Sequence, residues 1–129
     1  MIYQAKVLRI DENVEEEVIL QIGNTKLTCF SRFHSPETKV GSSYPVELSL
    51  TMFDDDCFVK EIPDDSEPSI VRIGNTFAYV ITGRLNGRCL ESGELSFEDD
   101  SLLSDFGYLD GKMIAMKVDR IDADFDPEQ

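Results

Sequence analysis

Three cysteines (Cys29, Cys57, Cys89), one histidine (His34) and 26 Asp and Glu side chains are the groups with which this 129-residue chain could do chemistry. Nucleophilic catalysis of the Ser-His-Asp or Cys-His kind would have to run through His34. That residue sits in a Pro-containing stretch, 34–41, beside Ser35 and near Cys29, and nothing there resembles a nucleophile elbow. It reads as an exposed loop histidine, and no catalytic residues are assigned.

Metal chemistry finds equally little. One His and three scattered Cys lack the paired spacing of zinc sites. Asp122-Ala-Asp124-Phe-Asp126 places acids at alternate positions, as an EF-hand loop begins, but Pro127 stands where the loop needs glycine. A strand explains the same pattern, with Ile121, Ala123 and Phe125 inward and the acids in water. Neither a metal nor a cofactor is expected. Gly-Asn-Thr is no phosphate cradle, and no P-loop motif occurs. Among so many acids, sequence nominates no carboxylate pair for glycoside chemistry.

What remains is charge. Only 12 Lys and Arg oppose the acids, giving a formal net charge of −14. Residues 1–65 and 66–129 each carry 13 acidic and 6 basic side chains, so the acid is no terminal tail. Such a surface repels nucleic acid and anionic membranes and attracts cations over about a Debye length. A basic protein partner is therefore expected, and nucleic acid is disfavoured. The clusters Asp54-Asp55-Asp56, Asp64-Asp65 and Glu98-Asp99-Asp100 are the candidate contact residues. Each is also an ordinary solvated turn.

The elements that must present these groups read as short strands. Apolar residues make up 41% of the chain, with 8 Phe and 4 Tyr, which is enough for a core in one domain of this length. Tyr3, Ala5 and Val7 alternate with Gln4 and Lys6, although Ile2, Leu8 and Ile10 break the pattern. Gly23-Asn24 suits a type II′ hairpin turn between two strands, and Asn86-Gly87 suits a type I′ turn. Tyr44, Val46, Leu48 and Leu50 alternate with Pro45, Glu47 and Ser49, with Pro45 marking a strand start or a sheet edge. Further strands are expected over 57–62, 77–85, 88–95 and 112–125. One short helix is expected near 99–106, capped by Asp99 or Asp100, with Leu102, Leu103 and Phe106 inward. Ile22-Gly23-Asn24-Thr25 recurs as Ile73-Gly74-Asn75-Thr76, which shared turn chemistry explains.

Together these predict an all-β fold: a small antiparallel Greek-key barrel or sandwich of about eight strands. The first five strands resemble the OB-fold plan. The chain reads as a single barrel-like domain, 1–129, with pseudo-repeat halves 1–62 and 70–125 about an acidic, Pro-containing linker, 63–69. That architecture raises nucleic-acid binding, with Phe30, Phe33, Phe77 and Tyr79 as stacking faces, but core packing is the preferred role for these rings.

The odd, widely spaced cysteines read as reduced thiols in a cytoplasmic protein. No signal peptide is expected from Met-Ile-Tyr-Gln-Ala-Lys, and no segment approaches the ~20 apolar residues of a membrane span. The leading functional expectation is a non-catalytic interaction module, an immunity- or antitoxin-like inhibitor or escort of a basic protein. The alternative is an OB-like binding or scaffold module that forms a homodimer or binds single strands or a small ligand. A metal-dependent enzyme comes last.

Overall fold

Alternating apolar residues close the first part of the chain into a barrel. The computed structural model describes residues 2–14, 16–31 and 38–125. Its strands are β1 (Ile2–Ile10), β2 (Glu17–Ile22), β3 (Thr25–Phe30), β4 (Ser43–Thr51), β5 (Phe58–Glu61), β6 (Ser69–Arg72), β7 (Tyr79–Asn86), β8 (Cys89–Ser92), β9 (Leu95–Glu98), β10 (Met113–Val118) and β11 (Arg120–Asp124). One helix, α1 (Asp100–Ser104), and a single 3-10 turn (Gly107–Leu109) complete the described elements. The fold is all-β, as the alternation predicts.

The chain divides into two compact units, residues 1–48 with 121–129, and residues 49–120. The acidic stretch 63–69 lies inside the second unit, and its last residue, Ser69, already belongs to β6.

The first unit holds a closed five-stranded barrel in the order β1-β2-β3-β11-β4, with β4 pairing back onto β1. Ala5, Val7, Leu20, Leu27, Val46 and Ile121 are wholly buried and form its core. Full burial of each large aliphatic side chain stabilises by about 1.5–3 kcal/mol. The break in alternation at Leu8 and Ile10 has a cause, whereas Ile2 lies exposed on the outer face. The pairing of β1 with β2 slips between Val7 and Arg9, an irregularity that resets which residues face inward. Val7 also holds the chain before β4, donating its N–H to Ser42 O and accepting from Gly41 N.

The OB-like plan holds, but its fifth strand is not the expected one. That strand is β11, at the end of the chain, running parallel to β3 with Asp122 opposite Phe30. Residues 58–61 instead pair with β10 in the second unit. The run expected as one strand over 112–125 is two strands, broken at Asp119. The entire second unit is thus inserted in sequence between the fourth and fifth barrel strands.

The second unit is a six-stranded sheet, ordered β5-β10-β7-β8-β9, with β6 also on β7. Ile81, Leu90, Phe97, Ile114 and Met116 are fully buried, as is Leu102 of α1. Asp99 caps α1, its Oδ1 accepting the Ser101 N–H at 2.9 Å. Leu103 faces solvent, against expectation, because α1 is too short to bury a second side.

Gly23 (φ 59°) leads the β2–β3 hairpin and Asn24 keeps negative φ, as a type II′ turn requires. The second hairpin corrects the reading of Asn86-Gly87. Asn86 pairs with Cys89, so the loop is Gly87-Arg88, and only Gly87 (φ 63°) has positive φ. This register sets Leu85 opposite Leu90, both wholly buried, whereas a loop one residue earlier would place Arg88 opposite Leu85. The strand expected over 88–95 is also two strands, because Ser92 pairs with Leu95 around a turn at Gly93.

A candidate cation-binding groove in the second unit

β10 ends where its apolar run meets Asp119, and this residue organises the site. Asp119 Oδ2 accepts the Phe53 N–H at 2.6 Å and the Asp54 N–H at 3.0 Å. Two successive amides on one carboxylate oxygen form an anion-binding nest. The Asp119 N–H itself donates to Thr51 O at 2.9 Å. The segment after β4 is thereby fastened beside the end of β10, and Asp54, Asp55 and Asp56 follow it in the chain.

Opposite stands the connection between β6 and β7. Thr76 closes it, donating N–H and hydroxyl to Ile73 O, while its Oγ1 accepts the Ala78 N–H. Between these segments lies a concavity of about 430 Å³. Phe53, Ile73, Phe77 and Ala78 supply apolar walls, and Asp54, Asp56, Lys117 and Asp119 supply charge. Phe53 is 67% exposed, an unusual state for a large aromatic ring. The Arg120 guanidinium lies 5.9 Å from that ring's centre.

The charged groups are coupled. The Lys117 ammonium pairs with Asp56, which holds the lysine pKa above its ordinary value. Asp54 is raised, first by its side-chain hydrogen bond to Asp119 and then by that residue's charge. Asp119 is lowered, mainly by the Phe53 N–H. Three carboxylates and one ammonium leave the groove with a net charge of −2.

Asp56, Cys57 and Asp119 bring ligand atoms within 4.8 Å of one another, as a metal site would. Two features oppose that use. Lys117 already neutralises Asp56, and desolvation together with Asp119 raises the Cys57 thiol, disfavouring the thiolate a metal requires.

The other candidate acids lie elsewhere. Asp64 pairs with Arg84 at 2.7 Å, an interaction that lowers its pKa. Glu98 and Asp100 flank Arg88 at 3.2 and 3.4 Å, and Asp99 is consumed by its capping role. Asp55 and Asp65 are exposed. Sequence reading thus found Asp54 and Asp56, raised Phe77 only as a stacking face set against a core role, and missed Phe53, Ile73, Lys117 and Asp119. Only Asp119 left a local signal, as an acid interrupting a long apolar run.

Phe33, His34, Ser35 and Asp126 lie outside the described residues. Tyr79 is buried, as its core role requires, and Phe30 and Phe77 are half-buried. Cys29 is buried, Cys57 and Cys89 are half-buried, and all three are free thiols. Among the described residues no helix is long and apolar enough to cross a membrane.

No curated protein and no solved structure matches this chain. The family model described as Uncharacterised conserved protein UCP019853 matches residues 1–126, and the chain belongs to that family.

Proposed function

We propose that this protein is a non-catalytic interaction module that captures a cationic segment of a partner protein in the groove of its second unit. The observation that carries this reading is the pairing of an exposed aromatic wall, Phe53, with the carboxylates of Asp54, Asp56 and Asp119. A guanidinium or ammonium gains charge attraction from the carboxylates, and its apolar stem gains contact with the ring, which Arg120 already engages as a cation. The overall charge of −14 would speed encounter with a basic protein. An immunity- or antitoxin-like inhibitor works in this way, covering a basic surface with carboxylates.

Calorimetric titration with an oligolysine peptide at low and high salt tests the proposal. Binding that weakens with salt, and that falls at least about tenfold in Asp54→Asn/Asp56→Asn, supports it. Unchanged binding by the double variant would move the contact away from the groove.

A second reading rests on the barrel. Lys6 and Lys26 flank Gln21 across β1, β2 and β3, and Arg9 lies opposite Ile19 on the same outer face. These cations favour an anionic ligand for the OB-like unit. A gel shift with single-stranded DNA and RNA tests it, and no shift at low salt ends it.

A further inference from the structure

The apolar surface beside the groove does not stop at its rim. Pairing registers place Val71 opposite Val80, Val80 opposite Lys117, and Lys117 opposite Phe58. These four residues form one row across β6, β7, β10 and β5, on a single face of the sheet. At about 4.8 Å between strands the row spans roughly 14 Å. Val71 is 56% exposed and Phe58 37% exposed, so its two ends lie open to solvent. In the next row toward the groove Ile73 stands beside Ala78, and both also line the groove. On the far side Lys60 places its ammonium 5.0 Å from the centre of the Phe58 ring and marks a polar boundary.

Groove and sheet face are therefore one continuous surface, with carboxylates at one end and apolar side chains over the rest. A second copy of this chain fits it badly, because two bodies of charge −14 repel. An anionic lipid surface fails for the same reason. Charge complementarity selects a cationic partner, and the apolar row adds a second requirement.

Building on the groove reading, we infer that the partner segment is amphipathic: its cationic side chain enters the groove against Asp54 and Asp56, while its apolar side chains lie over Val71, Val80 and Phe58. Lys117 stands at the junction of the two areas. Its stem belongs to the apolar row and its ammonium to the acidic cluster.

Two synthetic peptides of equal charge test this, one alternating Lys with Leu and the other alternating Lys with Ser. The Lys-Leu peptide should bind the full chain at least about tenfold more tightly. In Val71→Thr/Phe58→Thr, whose replacements sit at exposed strand positions, the advantage should shrink to within about twofold while the Lys-Ser affinity stays unchanged. An unshifted melting curve checks that this variant is folded. Equal affinity of the two peptides for the wild type, or an advantage that survives the double substitution, overturns the inference and leaves the groove reading standing. If neither peptide binds at low salt, the groove reading fails and this inference fails with it.

Discussion

Asp119 fastens Asp54 through the backbone while its charge opposes ionisation of the Asp54 side chain. The Asp54 N–H donates to Asp119 Oδ2 at 3.0 Å, and the hydrogen bond that a protonated Asp54 carboxyl gains to Asp119, with the charge of that residue, raises the Asp54 pKa. An acid placed at the break in an apolar run has become the fastening of the loop that carries three more acids. Removing it should release that loop. Asp119→Ala is expected to destabilise the chain by about 1–2 kcal/mol, the worth of its charge-assisted bonds at a half-buried site. Asp119→Asn, which keeps an acceptor oxygen, should cost less. Urea denaturation of both variants measures the difference. No loss in either variant would mean that the nest contributes nothing.

Lys117 is an internal competitor for any cation that approaches Asp56. Its ammonium already occupies that carboxylate, while its stem lies in the sheet face. Lys117→Met keeps the stem and removes the charge. It should strengthen binding of an oligolysine peptide by about threefold or more, on the scale of one surface ion pair. Calorimetry decides. Weaker binding by Lys117→Met would show that the lysine serves the ligand instead of blocking it.

The coupled carboxylates predict an order of events on acidification. Asp119 is held below the ordinary 3.8 by the Phe53 N–H, so its bonds are present above that value and are lost only as pH falls through the depressed one. Asp54 is held above 3.8 by its hydrogen bond to Asp119, so it protonates first. Lowering the pH from neutrality therefore takes the groove from a net charge of −2 to −1 while the loop remains fastened. Affinity for a cationic peptide should decline at a higher pH than the contribution of Asp119 to stability does. Asp54→Asn should lose the first part of that decline. Paired binding and melting curves across pH check this, and coincident losses of affinity and stability would contradict the assignment.

How much of this was legible in the sequence follows from the range of each signal. Strands, the cap at Asp99 and the II′ turn at Gly23 depend on neighbours in the chain, and local patterns reveal them. The one-residue shift of the Gly87-Arg88 turn was hidden, because it is decided by Leu90 meeting Leu85 and not by turn propensity. The fifth barrel strand was hidden for a stronger reason. β11 meets β3 across most of the chain, and no local pattern records a partner so distant. The groove fared the same way. Asp54 and Asp56 announce themselves as a charged run. Phe53, Ile73 and Phe77 look like any core residues until the sheet leaves them at its end.

Gly83 marks a point where the second sheet tolerates no side chain. Along one edge of β7, residues Tyr79–Thr82 pair with β6 and Arg84–Asn86 pair with β8, so the partner changes at Gly83. Ser92 secures the junction, its hydroxyl 2.8 Å from Thr82 O and 3.3 Å from Ser69 O. A β-carbon on Gly83 would lie 2.2 Å from the backbone oxygen of Glu91 and 2.8 Å from its carbonyl carbon. Both obstacles are main chain, so no rotamer change relieves the clash, and β8 must move away from β7. Gly83→Ala should therefore destabilise by about 3 kcal/mol, the upper range for overpacking. The same substitution at Gly107, where a β-carbon meets nothing within 4 Å, should stay within about 0.5–1 kcal/mol of wild type. Urea denaturation of the pair separates loss of space from loss of glycine as such. A Gly83→Ala variant as stable as the Gly107→Ala variant would show that β8 can shift freely, and that the junction is not the fixed point of the sheet.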